Sequence, residues 1–181
     1  MRHAAANRRN IVLVGPMGSG KSHVGRLLAA RLGLVFVDVD ARIEADAGLP
    51  IPAIFAGEGE AGFRARESRI LADTLARQGQ VVATGGGAVL DAGNRDAMSA
   101  AGHVIYLQVE LAAQLRRVAG DTGRPLLDVA DRAQRLAELQ ALREPLYREV
   151  ADLVFETSSL PPDAVAEALA ALPADDEETH A

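Results

Sequence analysis

The chain has 181 residues, 49% hydrophobic and 24% charged, which suits one domain with a full core and excludes wholesale disorder. It contains no Cys, which excludes disulfide frameworks, Cys-ligated zinc and thiol nucleophiles, and no apolar run reaches the roughly 20 residues of a membrane helix. The net charge of −6 comes from the C-terminal end, where six acidic and no basic residues follow Ser159, so no basic stripe advertises nucleic acid.

Residues 1–10 lack the apolar stretch of a secretory signal and are expected to form a disordered tail. Ile11-Val12-Leu13-Val14 is a continuous apolar run, as in a strand buried on both faces. A glycine-rich turn spans Gly15 to Gly20. A helix is predicted over Lys21–Leu32, with Val24, Leu27, Leu28 and Leu32 on one face and Gly33 as its stop. Leu34 to Val37 reads as a second buried strand. Residues 39–47 read as helix, interrupted by Pro50 and Pro52, and a longer helix is predicted from Glu60 to Gln78, stopped by Gly79.

Gln80 to Thr84 reads as a third strand, ending on Gly85-Gly86-Gly87. A helix at 93–101, a strand at 103–107 and a helix at 111–118 follow. Residues 119–130 break the rhythm with Gly120, Gly123 and Pro125 and are expected to form a mobile loop. A helix from Asp131 to Arg148, a short strand at 152–156 and a helix from Pro161 complete the pattern. Alternating strands and helices with buried strands imply an α/β fold, a parallel sheet covered by helices on both faces. With no repeat or linker, a single domain is expected over 11–173, followed by an acidic tail at 174–181.

Gly15-Pro16-Met17-Gly18-Ser19-Gly20-Lys21-Ser22 matches G-x-x-x-x-G-K-S. Such a loop curls so that backbone N–H groups meet phosphate oxygens, and the helix it opens favours anions at its N-terminus. Lys21 would reach the β- and γ-phosphates of ATP, and the Ser22 hydroxyl would ligate Mg²⁺. Composition adds a hint: of the 19 basic residues, 18 are Arg and the single Lys is Lys21. A compact ammonium suits an enclosed phosphate site better than a planar guanidinium. A chance glycine turn is the bland alternative, but the preceding strand and following helix supply the expected context.

Asp38 and Asp40 follow the second strand, and if strand alternation persists both carboxylates face one side. One could hold Mg²⁺ and the other could orient or deprotonate an attacking hydroxyl. The competing reading is a helix N-cap plus a surface charge. Arg64 and Arg143 carry planar guanidiniums suited to bidentate carboxylate recognition, although either alone could be a surface charge. Gly85, Gly86 and Gly87 would let a ligand approach the backbone closely, unless they form a simple turn. Arg124, stiffened by Pro125, could be delivered by a closing lid to the transferring phosphoryl group, or sit in an ordinary solvated loop.

Taken together, the P-loop, Asp38-Val39-Asp40, Gly62-Phe63-Arg64, Thr84-Gly85-Gly86-Gly87, Arg124-Pro125-Leu126-Leu127 and Arg143-Glu144-Pro145-Leu146-Tyr147 resemble the shikimate kinase family over about Ile11 to Leu172. The resemblance implies a three-layer α/β/α P-loop kinase fold, with a five-stranded parallel sheet in the order 2-3-1-4-5 and a lid at about 119–130. It implies transfer of the γ-phosphate of ATP to the 3-hydroxyl of shikimate, with Mg²⁺, in the cytoplasm, by a monomer acting on a small molecule.

By the same resemblance, Asp40, Arg64, Gly85, Gly86, Gly87 and Arg143 would hold shikimate, the two Arg on its carboxylate. Lys21, Asp40 and Arg124 would carry the chemistry. Gly18, Ser19, Gly20, Lys21, Ser22, His23, Arg117 and Arg124 would hold the nucleotide, with Arg117 against adenine. Ser22 and Asp38 would hold the metal, and Glu67 would support Arg64. Two departures stand out. His23 replaces the family's usual Thr, and the stretch Ala119 to Gly123 carries few basic residues. A gluconate or nucleoside monophosphate kinase is one rival, disfavoured by the paired Arg64 and Arg143. A regulatory nucleotide-binding module is another, which would not need Asp40.

Overall fold

The computed structural model describes residues 9–121 and 124–172. The central strand β1 (Asn10–Val14) pairs in parallel with β3 (Gln80–Ala83) on one side, Leu13 opposite Ala83. On its other side it pairs in parallel with β4 (Gly102–Gln108), Val14 opposite Tyr106. β2 (Val35–Asp38) adds to β3 and β5 (Leu153–Glu156) to β4. The sheet therefore runs β2-β3-β1-β4-β5 with all strands parallel, the expected order.

Strand geometry explains why the apolar run in β1 is continuous. Successive side chains point to opposite faces, and both faces are covered. Val12 and Val14 pack on one face with Val39, Ile43, Leu71, Val82, Met98 and Tyr147. Leu13, between them in sequence, packs on the other with Leu28, Val81, Leu107, Val165 and Leu169. The first layer contains α2 (Val39–Ala47), α3 (Ile51–Leu75), α4 (Ala92–Ala101) and α6 (Arg132–Val150). The second contains α1 (Lys21–Leu32) and α7 (Pro162–Ala170). A smaller cluster joins Val118 of α5 (Leu111–Val118) to Leu127 and Leu136, with Met17 packed against it.

The structure departs from the sequence reading in four places. β2 is not buried on both faces: it is a sheet edge, and Val35 is 63% exposed. Second, Pro50 and Pro52 start a helix. Pro50 is the N-cap of α3 and Pro52 lies in its first turn, where a missing N–H costs nothing. The helix expected over Glu60–Gln78 is the second limb of α3, set off by a kink at Gly59 (φ 71°, ψ 179°), and it ends at Leu75.

Third, Asn10 belongs to β1 and is buried, its side-chain amide donating to the Arg77 carbonyl at 2.7 Å. The rest of the expected N-terminal tail at 1–8, the acidic tail at 174–181 and the lid residues 122–123 lie outside the described residues. Fourth, α2 begins directly after Asp38, so strand alternation does not extend to Asp40. Among the described residues no helix is long and apolar enough to cross a membrane.

Candidate active site

All five strands point their carboxyl ends the same way, and the loops leaving β1, β2 and β3 converge there. The loop after β1 is the glycine-rich segment. Gly18 and Gly20 have φ of 77° and 92°, a left-handed backbone that disfavours side chains, and Gly20 is the N-cap of α1. No acidic residue occupies the first turn of α1, so its positive end is not neutralised locally.

Lys21 is buried, and its ammonium donates to the carbonyls of Gly15 at 2.7 Å and Pro16 at 2.9 Å. Burial lowers its pKa to about 8, with Asp40 opposing that shift and Arg124 adding to it. Added negative charge in the loop would favour the charged amine.

Ser22 donates through Oγ to Asp38 Oδ2 at 2.6 Å, while Asp38 Oδ1 accepts from the backbone of Ala41 at 3.2 Å. Asp38 is thus both the N-cap of α2 and the neighbour of the loop serine. The N-cap half of the competing reading is therefore seen, and the same carboxylate also meets the loop serine rather than only solvent. Asp40, in the first turn of α2, also faces the site, brought there by the helix rather than by strand alternation. Burial raises its pKa and the nearby Asp38 carboxylate raises it further, which makes Asp40 a better proton acceptor than a surface carboxylate.

The third converging loop is Gly85-Gly86-Gly87. A β-carbon on Gly87 would run into the Arg64 guanidinium, and one on Gly85 would meet the carboxylates of Glu67 and Asp40. These glycines therefore admit side chains from α2 and α3 against the backbone. Arg64 is held by Glu67 at 2.6 Å and lies 3.5 Å from Glu60. Glu67 is 1% exposed; burial raises its pKa despite the attraction of Arg64, and its second carboxylate oxygen has no partner. Arg143, from α6, is buried, and burial lowers its pKa.

Two clefts result, one on each side of the phosphate loop. The first, of about 360 Å³, is lined by Met17, Asp38, Asp40, Arg64, Glu67, Gly85, Gly86, Gly87, Arg124 and Arg143. Its charged lining combines the carboxylates of Asp38, Asp40, Glu44, Glu67 and Asp121 with the guanidiniums of Arg64, Arg124 and Arg143. The second, of about 490 Å³, is lined by Gly18, Ser19, Gly20, His23, Arg117, Thr157 and Pro161, among others. His23 is exposed there, replacing a hydroxyl with an imidazole at the cleft wall. Arg117 donates to the Gly18 carbonyl at 3.1 Å and to the Thr157 carbonyl at 2.6 Å. Arg124 is paired with Asp121.

Three supporting residues escape a reading of the sequence. Gln114 of α5 donates to the Met17 carbonyl at 2.8 Å, clamping the phosphate loop from outside. Thr157, just after β5, donates to the Gln108 carbonyl at 2.9 Å and accepts from Arg117 at 3.2 Å. The Tyr147 hydroxyl donates to the Gly86 carbonyl at 2.5 Å. Of the three, only Tyr147 lies in a stretch that stands out in the sequence; Gln114 and Thr157 look there like ordinary surface polar residues.

Comparison with known proteins agrees with this geometry. The sequence model of a family described as shikimate kinase matches residues 17–172. A shikimate kinase from Pseudomonas syringae pv. syringae (strain B728a) is 53% identical over 154 residues, covering 85% of this chain and 90% of the relative. One from Halorhodospira halophila (strain DSM 244 / SL1) is 57% identical over 148 residues, covering 82% and 84%. A solved shikimate kinase from Acinetobacter baumannii, in complex with shikimate, superposes with a TM-score of 0.88 at 46% identity, covering 90% of each chain. The phosphate loop, Asp38 and Asp40, and the arginines Arg64 and Arg143 of the first cleft thus lie in a chain that belongs to the shikimate kinase family.

Proposed function

We propose that the protein transfers the γ-phosphoryl group of ATP to the 3-hydroxyl of shikimate, giving shikimate 3-phosphate and ADP. The observation that carries this reading is the first cleft, where Asp40 lies near Lys21 at one end and Arg64 and Arg143 lie beyond it. A small acid with ring hydroxyls matches that polarity. Its carboxylate would take the two guanidiniums while a hydroxyl meets Asp40.

The nucleotide would occupy the second cleft, its base against Arg117 and its phosphates on the amides of Gly18, Ser19, Gly20, Lys21, Ser22 and His23. Ser22 and Asp38 offer adjacent hard oxygen donors, which fit Mg²⁺. Mg²⁺, when bound, would neutralise phosphate charge. The protein's own part is positioning and charge. Lys21 and Arg124 would stabilise the transferring phosphoryl group, and Asp40 would orient the acceptor hydroxyl and take its proton. Arg124, in the lid, would reach the phosphates on closure, which also excludes water from the transfer. A monomer working in the cytoplasm belongs to the same reading.

A coupled ADP-release assay with shikimate, gluconate and AMP as separate acceptors tests it. Turnover is expected with shikimate alone. Equal ADP release without shikimate, or turnover only with another acceptor, overturns the assignment. Sedimentation of the purified chain checks the monomer.

A further inference from the structure

Tyr106 and Tyr147 stack in the core with ring centroids 5.0 Å apart and planes 27° from parallel, and both are 0% exposed. As rings they are equivalent packing groups. Their hydroxyls are not. The Tyr106 hydroxyl is buried without a partner, so phenylalanine would serve as well there. The Tyr147 hydroxyl donates to the Gly86 carbonyl at 2.5 Å, bridging α6 to the turn after β3. Arg143, one helical turn earlier on α6, presses against that same hydroxyl, a contact that partly offsets the effect of burial on the guanidinium. Gly86 and Arg143 are also neighbours, since a β-carbon built on Gly86 would lie 3.5 Å from Arg143 Nη1.

One hydroxyl therefore sets two parts of the acceptor cleft. It is neutral, its pKa raised by burial. Because it turns the Gly86 carbonyl inward, and the peptide is planar and trans, the Gly87 N–H must point the opposite way. Gly87 lines the cleft.

We propose that Tyr147 is a positioning residue for the acceptor, its hydroxyl holding the Gly86–Gly87 peptide and the Arg143 guanidinium in the arrangement that receives the acceptor's carboxylate. Tyr147 does not line the cleft and would not touch the substrate. It acts through Gly86 and Arg143. The inference rests on the reading of shikimate as acceptor.

The test compares Tyr147→Phe and Tyr106→Phe with the unaltered protein in steady-state kinetics, varying shikimate and ATP separately. Tyr147→Phe is expected to raise the KM for shikimate about tenfold, as for loss of a buried positioning hydrogen bond, with the KM for ATP within about twofold. Tyr106→Phe is expected to leave both within about twofold. The penalty should also depend on the acceptor's charge: with the carboxamide of shikimate, Tyr147→Phe should cost less than about threefold. A purely structural role would raise both acceptors, or both substrates, together.

If Tyr147→Phe does not fold, 4-aminophenylalanine at 147 keeps a donor for Gly86 and weakens the acceptor facing Arg143. It should raise the shikimate KM at least about threefold. An unchanged shikimate KM in either folded variant, or an equal rise for ATP, overturns the proposal. If the unaltered protein does not phosphorylate shikimate at all, it is the assignment of the acceptor that fails.

Discussion

Ser22 and Asp38, sixteen residues apart, meet in a 2.6 Å hydrogen bond that ties the first turn of α1 to the end of β2. The same Asp38 caps α2 through Ala41, so one carboxylate serves helix α2 with one oxygen and the phosphate loop with the other. The two roles are separable. Asp38→Asn keeps an acceptor for the cap but loses the charge, so the melting temperature should move by no more than about 2 °C. The Mg²⁺ concentration for half-maximal activity should rise about tenfold. Asp38→Ala should in addition lose about 1 kcal/mol of stability from the cap. Thermal melts and a Mg²⁺ titration read the two effects separately, and an unaltered Mg²⁺ requirement in Asp38→Asn would reduce Asp38 to a cap.

Asp40 is the carboxylate with the raised pKa, burial being the main cause. Asp40→Asn preserves its shape and removes its capacity to take a proton. ATP affinity is expected to stay within about twofold while kcat falls by about 100-fold or more, the usual worth of a positioned general base. Nucleotide titration and single-turnover transfer measure the two independently. A variant with near-normal kcat would leave Asp40 a binding role only.

Lys21 has a pKa lowered to about 8, chiefly by burial, so in the free enzyme its amine loses its proton as the pH rises through that value. Bound phosphates would favour the charged form and raise the pKa again. Two consequences follow in the window above pH 8. Nucleotide affinity should weaken with increasing pH, and binding should be accompanied by proton uptake. Calorimetry at pH 8.5 in buffers of different ionisation enthalpy detects that uptake directly. Lys21→Met should abolish it, and uptake that persisted in this variant would assign the proton elsewhere.

Gly87 abuts the Arg64 guanidinium so closely that a β-carbon cannot fit without displacing it. Gly87→Ala should raise the KM for shikimate at least about tenfold through loss of an aligned guanidinium, with the KM for ATP unchanged. Gly57, in the first limb of α3, has open space where a β-carbon would go. Gly57→Ala should be neutral or stabilise by up to about 1 kcal/mol, since it only restricts the unfolded chain. The pair separates close approach at the cleft from a general intolerance of alanine.

Much of this architecture is legible in the sequence. A run such as Val12-Leu13-Val14 announces a strand covered on both faces, because burial on both faces leaves no polar alternation. The helix at Lys21–Leu32 and its stop at Gly33 are local features, and the phosphate loop is a contiguous string whose chemistry depends on its own backbone. Asp40, Arg64, Gly85–Gly87 and Arg143 could be named as candidates, and the structure gathers them around one cleft.

What tertiary structure alone decided is of another kind. Hydrophobicity reports which residues avoid water but not which strand has a neighbour, so the edge position of β2 was invisible in Val35-Phe36-Val37. Pro50 and Pro52 break a helix or begin one depending on what precedes them, and only the fold showed that they begin α3. The contacts of Gln114 with Met17, 97 residues away, and of Tyr147 with Gly86, 61 residues away, leave no local pattern at all. The sequence by itself determined the phosphate loop and the kinase family, because their chemistry resides in short contiguous strings. How Ser22 comes to share Asp38 with the cap of α2, and how Tyr147 comes to steady the acceptor side, depended on elements distant in sequence packing against one another.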